Sequence, residues 1–328
     1  MSGFVKRLLV SAFVVWAVAS LTFVISHVLP EDPARLAAGA QARPADVERL
    51  RAQLGLDRSL PVQYGAFFAR LVHRGSADAA AHATCASWGF VHVDLGRSYQ
   101  KRLPVVVILG ERLPRTLALA AVAVALQALL GTALGTFAAT RRGRWSDSLV
   151  VGTTLVGISA PTFVIGLILQ YVLAHRLRLV PLDGFGKTFA EHAACIVLPA
   201  TTLALYGAAS YARIVRDEMI GLLGQDFVRT ARAKGLGEIA VIRHALRNAA
   251  GTIVTIVALD LGALVSGAVV TETLFRWPGM GALSVTALLD RDGPVLLGIV
   301  LVSSTAIVLA GAVADLAVRL LDPRIRRR

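Results

Sequence analysis

The 328-residue chain is 55% apolar and only 17% charged, with a net charge of +13. That composition is unusual for a soluble protein and makes the bilayer the first hypothesis. The positive charge also raises nucleic acid as a partner, but aromatic residues that could stack on bases are sparse at 6%, so the placement of the charges has to decide. Two cysteines, Cys85 and Cys195, have neither the count nor the spacing of a zinc site or a disulfide framework. A single bridge between them stays open, the alternative being small buried hydrophobes.

A hydrocarbon core about 30 Å thick takes roughly 20 apolar residues of helix. Six segments meet that length: residues 8–29, 116–139, 149–174, 193–211, 251–274 and 295–318. Between them lie turn and charge signals such as RRGRWSD at 141–147 and RWPGMG at 276–281, which cannot stay in lipid without partners. The expected architecture is therefore all-α integral membrane. Residues 1–29 form an N-terminal transmembrane helix, 30–115 an extracytoplasmic loop region, and 116–328 a five-helix core with a cytoplasmic loop at 213–250. Lys6 and Arg7 ahead of an apolar run also resemble a signal peptide. The run continues through Leu21, Phe23, Val24 and Ile25, so it reads as a retained span.

With both termini cytoplasmic, Lys6, Arg7, Arg141, Arg142, Arg144 and the basic residues of 213–247 and 319–328 fall inside. The short outer loops carry only Arg176, Arg178, Lys187, Arg276 and Arg291. This asymmetry follows the positive-inside rule and accounts for the net charge without nucleic acid. In the long outer segment, residues 45–54 and 61–72 have helical spacing, with Gly55 as a stop for the first. Residues 75–89 (GSADAAAHATCASWG) are weakly patterned and read as a surface insertion.

The inner segment 226–248 reads DFVRTARAKGLGEIAVIRHALRN. Phe227, Val228 and Ala231 share a helical face, Gly235 falls where a helix would stop, and Leu236, Ile239, Ile242 and Leu246 restart a stripe. Ala231, Ala233 and Gly235 leave a shallow surface, and Arg229, Arg232 and Lys234 surround it with charge. Spacing alone leaves two readings open: a basic hairpin lying on anionic headgroups, or a platform on which another protein docks.

At this point the chain resembles a family. TARAKGL at 230–236 followed by HALRNA at 244–249 is similar to the cytoplasmic EAA-type loop of ABC transporter permeases in the dipeptide, oligopeptide and nickel group. Further landmarks occur in the family's order: EDP at 31–33, LGLD at 54–57, DLG at 94–96, RLPRTL at 112–117, TETLFRWPGMG at 271–281, RDGP at 291–294 and DPRIR at 322–326. The resemblance implies six transmembrane helices of the type I ABC importer permease type. It also implies a coupling helix that contacts a separate ATPase through Asp226, Phe227, Arg229, Thr230, Ala231, Arg232, Ala233, Lys234 and Gly235. The expected partners are a homologous second permease, two ATPase subunits, an extracytoplasmic binding protein and membrane lipid, with no nucleic acid. This chain is expected to bind no cofactor, ATP and Mg belonging to the partner subunits, and to reside as a multi-pass protein in the bacterial inner membrane. The cargo is expected to be peptides, with nickel or a metal chelate as the alternative. Two departures stand out. Thr252 replaces a proline usual shortly after HALRNA, and Arg229 stands where the motif's glutamate would be.

Catalytic motifs are absent. PLDGFGKT at 181–188 ends like a phosphate-binding loop, but Pro181 stands where the fingerprint needs glycine and no strand precedes it. It reads as an outer turn. His73, His82 and His92 are dispersed through the outer segment and read as solvated, not as metal ligands. Asp260 lies about two turns into the fifth span, where a carboxylate is costly unless it faces water or a partner. It is expected either to line the translocation path with Ser266 and Glu272 or to bond a neighbouring helix. Glu272 would then meet substrate, binding protein or solvent. Asp315 and Arg319 are spaced as an intrahelical pair. Gly262, Ser266 and Gly267 allow close helix approach. Readings of another class are an ion-coupled secondary transporter using Asp260 and a membrane-anchored scaffold whose basic loop recruits a soluble partner.

Overall fold

A computed structural model describes residues 3–28, 33–39, 41–53, 55–74, 85–88 and 91–321. The chain divides into two compact units, Met1–Pro114 with Gly279–Ala306, and Arg115–Pro278 with Ile307–Arg328.

The first unit opens with α1 (Gly3–Val28), whose 26 residues span about 39 Å at 1.5 Å per residue. Short helices α2 (Pro33–Ala38), α3 (Pro44–Gln53) and α4 (Leu60–Leu71) follow, the last two within one residue of the positions their spacing predicts. α4 is held to α1 by aromatic contact, with Phe23 edge-on to Tyr64 at 5.3 Å and tilted against Phe67 at 5.5 Å. Ser20 and the Tyr64 hydroxyl hydrogen-bond at 2.7 Å.

Strands β1 (Val72–Arg74), β2 (Cys85–Trp88) and β3 (Val91–Asp94) form an antiparallel sheet in the order β1-β3-β2. Sequence reasoning missed it because strands of three or four residues are too short to show alternation. The end of the expected insertion is thus strand β2, and residues 75–84 and 89 of that segment lie outside the described residues. The core of this unit packs Val105, Ile108 and Leu109 with Met280, Leu283, Val295 and Ile299. Asp292 of the RDGP stretch fastens the segment 98–100: it accepts from the Ser98 hydroxyl, from the Tyr99 N–H at 3.1 Å and from the Gln100 N–H at 3.4 Å.

Helix α5 (Val105–Thr140) runs 36 residues and begins ahead of the expected Thr116. In the second unit, α6 (Trp145–Ser159) and α7 (Thr162–Leu169), the latter continuing into a π-helical turn at Gln170–Arg176, occupy the third expected span. They meet at 102°, which corrects the expectation of one straight helix. Ala160 is extended (φ −76°, ψ 129°) because a residue before proline is pushed out of the helical region, and Pro161 then starts the next helix. α8 (Phe189–Cys195) leads into α9 (Val197–Leu223), then α10 (Asp226–Ala233) and α11 (Glu238–Val265).

The fifth expected span is also corrected. α11 starts at Glu238 and ends before Gly267, whose φ of +108° no helix continues through. A separate short helix, α12 (Val269–Leu274), follows. Thr252 sits inside unbroken α11, since threonine, unlike proline, keeps its N–H for the helical ladder. α13 (Met280–Leu289) and α14 (Gly293–Leu321) complete the chain.

Among the described residues, four stretches are long and apolar enough to cross a bilayer: Val105–Thr140, Phe189–Leu223, Glu238–Val265 and Gly293–Ala317. The bent pair makes five, and α1 contributes the apolar run Leu9–Val24. Many of their large apolar side chains point outward, Leu129 at 68% and Val156 at 70% exposure, as a surface solvated by lipid requires.

The glycines at 131 and 135 on α5, four residues apart, let α9 approach closely. A Cβ at Gly131 would strike the Tyr211 Cβ and come within 2.9 Å of the Ala208 carbonyl; one at Gly135 would lie 2.5 Å from the Ala212 carbonyl. This is small-residue packing of the kind that replaces hydrophobic drive in membranes. Gly131→Leu is therefore expected to cost about 2 kcal/mol or more, seen as a lower thermal unfolding midpoint of the purified protein. Gly152→Ala, with nothing within 4 Å of the new carbon, should leave the midpoint unchanged.

Candidate coupling site

The segment between α9 and α11 is built around a glycine turn. α10 ends in a Schellman arrangement: the Gly235 N–H donates to the Arg232 carbonyl at 2.9 Å and the Leu236 N–H to the Ala231 carbonyl at 3.2 Å. Gly235 carries φ +81°, the left-handed conformation this cap demands and glycine adopts without penalty. Across the turn, Arg232 forms a two-point ion pair with Glu238, at 2.9 and 3.1 Å. Its guanidinium holds the Glu238 carboxyl below the usual range, and Glu238 also begins α11, where a negative charge suits the helix dipole.

α10 is pinned from beneath. Val228 is fully buried, and Phe227 packs on the cluster formed by Val215, Met219, Ala245 and Ala249 with its ring 5.5 Å from that of His244. Thr230 donates back to the Asp226 carbonyl at 3.0 Å. Asp226, Arg229, Thr230, Arg232, Ala233, Lys234 and Gly235 are exposed, and Ala231 is half-buried. The expected coupling residues thus form one contiguous outward surface over the Phe227–Val228 anchor. The expected second stripe is corrected. Val241, Ala245 and Ala249 form the buried face of α11, Ile242 and Leu246 flank it, but Leu236 and Ile239 point out at 42% and 85% exposure. Gly237 caps α11 in an extended conformation, so Leu236 precedes the helix, and Ile239 in its first turn lies about 200° around the axis from buried Val241. Beside them lies a groove lined by Leu236, Ala240, Arg243, His244, Leu246 and Arg247.

An ion pair that sequence reasoning did not find fastens the first turn of α6 to α9. Arg216 donates to both oxygens of Asp147, at 2.7 and 2.9 Å, and the Gly143 N–H donates to Asp147 at 3.0 Å. These bonds, the Arg216 guanidinium foremost, hold the Asp147 carboxyl down at about 2. No local pattern reveals the pair, because the partners are 69 residues apart.

Of the residues expected on the translocation path, Asp260 is half-buried and accepts from the Gln127 amide at 2.8 Å. It is therefore bonded to a neighbouring helix, with buried Tyr211 against the same pair. Ser266 donates to the Ala263 carbonyl at 2.6 Å. Glu272 is fully buried and accepts from the Thr116 hydroxyl at 3.1 Å, so the solvated alternative for it is corrected: it sits on α12, where it and Thr271 form the buried face while Val269 and Val270 point out. Cys85 and Cys195 are both free. Residues 181–188 form a turn before α8 in which Glu191 accepts from the Lys187 and Thr188 N–H groups, the donors a phosphate would need. His82 lies outside the described residues and His73 and Arg319 outside the described side chains. Among those described, no group of three residues could hold a metal.

The model of the binding-protein-dependent transport system inner membrane component matches residues 131–327, and that of the corresponding N-terminal membrane component matches residues 1–120. The chain is 38% identical to a probable D,D-dipeptide transport system permease protein, DdpB, of Escherichia coli K12, over 96% of this chain and 94% of that one. It is 35% identical to a putative peptide transport system permease protein of Brucella abortus, over 98% of both. Among solved structures, inward-facing MetNI methionine ABC transporter superposes with a TM-score of 0.55 at 17% identity, over 67% of this chain and 98% of that chain, a likeness of fold.

The Asp147–Arg216 pair has a defined pH range. With an ordinary carboxyl value of 3.8 and a folded one of about 2, its contribution is fully present above about pH 4 and lost as pH falls through about 2. Arg216→Gln should destabilise by about 3 kcal/mol at pH 7. The double variant with Asp147→Asn should recover part of that loss in thermal unfolding; additive losses would mean that the two residues act independently.

Proposed function

The chain belongs to the inner membrane components of binding-protein-dependent transport systems, and we propose that it is the permease subunit of an ATP-driven importer of peptides. The observation that carries the coupling is the α10 surface: a short helix, anchored by Val228 and stopped by Gly235, presenting an exposed rim of charge and small residues. Peptides are favoured as cargo by near full-length relatives that bear peptide and dipeptide permease names.

In this reading the chain performs no catalysis and binds no cofactor. ATP and Mg sit on two separate ATPase subunits, a second permease completes the path, and an extracytoplasmic binding protein delivers cargo. Both termini are cytoplasmic, residues 1–29 supply the first span, 30–115 lie outside, and 116–328 form the core with its coupling loop at 213–250. The ATPase pair opens and closes, α10 moves with it, and the hydrophobic anchor at Phe227 and Val228 passes the displacement to α9 and α11, a domain-scale switch. Asp260, Ser266 and Glu272 line or brace the path. Asp260, held by Gln127, favours a cationic group such as a peptide amine.

Uptake by the assembled complex in vesicles tests this. Transport should be vanadate-sensitive and require the ATPase. Gly235→Val should lower transport and stimulated hydrolysis together by about tenfold, because a β-branched residue at positive φ costs about 1–2 kcal/mol. Asp260→Asn should slow dipeptides more than their N-acetylated forms. Unchanged transport and hydrolysis in Gly235→Val would remove the loop from the mechanism, and equal loss for both dipeptide forms would remove charge selection.

A further inference from the structure

The first unit contains a cavity of about 720 Å³ that the transport reading does not use. Its walls come from α3, α4, the segment 94–102 and the first turns of α14. The floor is apolar, with Leu50, Leu56, Phe67, Leu95 and Leu297. Arg49, Arg70, Arg97 and Arg102 stand around it, all exposed. Two carboxylates also line it, and both are engaged: Asp94 accepts from the Gly96 N–H at 2.8 Å, and Asp46 lies 3.7 Å from Arg49. Among the described residues no carboxylate pairs with Arg97 or Arg102. The cavity therefore carries uncompensated positive charge above a greasy floor.

Two features fix this arrangement. Asp292, at the start of α14, grips the Ser98, Tyr99 and Gln100 segment through a hydroxyl and two backbone N–H groups, so the wall bearing Arg97 and Arg102 is braced. Arg102 holds φ +54°, a conformation that a non-glycine residue keeps only where its surroundings enforce it. Tyr99 lines the same wall. Burial and then Asp292 push its phenol above the usual range, so it remains a neutral donor.

The ligand chemistry follows from position as well as charge. Gly293, Pro294 and Leu297 in the wall belong to the first turns of the apolar run Gly293–Ala317. The cavity thus lies at the level where that run begins, and where headgroups meet acyl chains. Guanidinium groups over an apolar floor suit a phosphate attached to hydrocarbon better than a fully soluble anion. We propose that this cavity binds the headgroup of an anionic phospholipid, its phosphate held by Arg97 and Arg102 and its glycerol end resting on Phe67 and Leu297. The site is independent of cargo identity and of the coupling loop.

Native mass spectrometry of the full-length protein in detergent, titrated with dioleoyl phosphatidylglycerol or dioleoyl phosphatidylcholine, tests it. Phosphatidylglycerol should bind more tightly, and Arg97→Gln combined with Arg102→Asn should weaken it at least about fivefold, while Arg97→Lys retains it. Asparagine tolerates the left-handed backbone at position 102, and an unchanged unfolding midpoint confirms that the double variant is folded. Equal phosphatidylglycerol affinity in wild type and the double variant overturns the proposal. So does an effect of the substitutions confined to inorganic phosphate or dialanine, which would assign the arginines to a soluble anion.

Discussion

The close approach of α5 to α9 is the contact on which the second unit depends. With side chains absent at positions 131 and 135, the α5 backbone comes against Ala208, Tyr211 and Ala212 of α9, and α9 buries thirteen of its residues. In hydrocarbon no water is gained by association, so packing of this kind and the few polar bonds between helices must hold the bundle. α9 is well placed to be the member that everything else references. Asp147 bonds to it at Arg216, Gln127 packs onto it at Gly207, and α10 begins three residues after it ends.

Because α9 is fixed along its length, the loop that follows it is not a free tether. Phe227 packs on the cluster around Val215, Met219 and Ala245 and Val228 next to it is fully buried, while the next turn of α10 projects outward. A push on the exposed rim therefore bears on two long helices at once. The cap at Gly235 and the Arg232–Glu238 ion pair keep α10 and the start of α11 at a set angle. The exposed pair itself adds little stability, and its geometric restraint matters more.

Much of this was legible in the residue order. Long apolar runs separated by charge identified the spans, and the glycine between two amphipathic stretches located the α10 turn. What the order hid was of two kinds. One was where a continuous apolar run breaks, at Ala160–Pro161 and at Gly267, since hydropathy does not register backbone conformation. The other was tertiary pairing: Thr116 with Glu272 across 156 residues, Gln127 with Asp260 across 133 and Ser98 with Asp292 across 194. A buried acid is visible in a sequence as an anomaly, but its partner is not, because any of several distant polar residues could satisfy it. The same limit explains Ile239, assigned to a buried stripe by spacing but turned away from the face that Val241, Ala245 and Ala249 bury, since spacing does not say which side of a helix its neighbours cover.

In the proposed function the α10 rim grips a nucleotide-hydrolysing subunit. A photo-crosslinker attached to a cysteine at Ala233, an exposed position on that rim, reports its neighbour directly during turnover. Such a grip should give an adduct with the ATPase whose yield changes with nucleotide state. Adducts with lipid headgroups alone, in every nucleotide state, would contradict it.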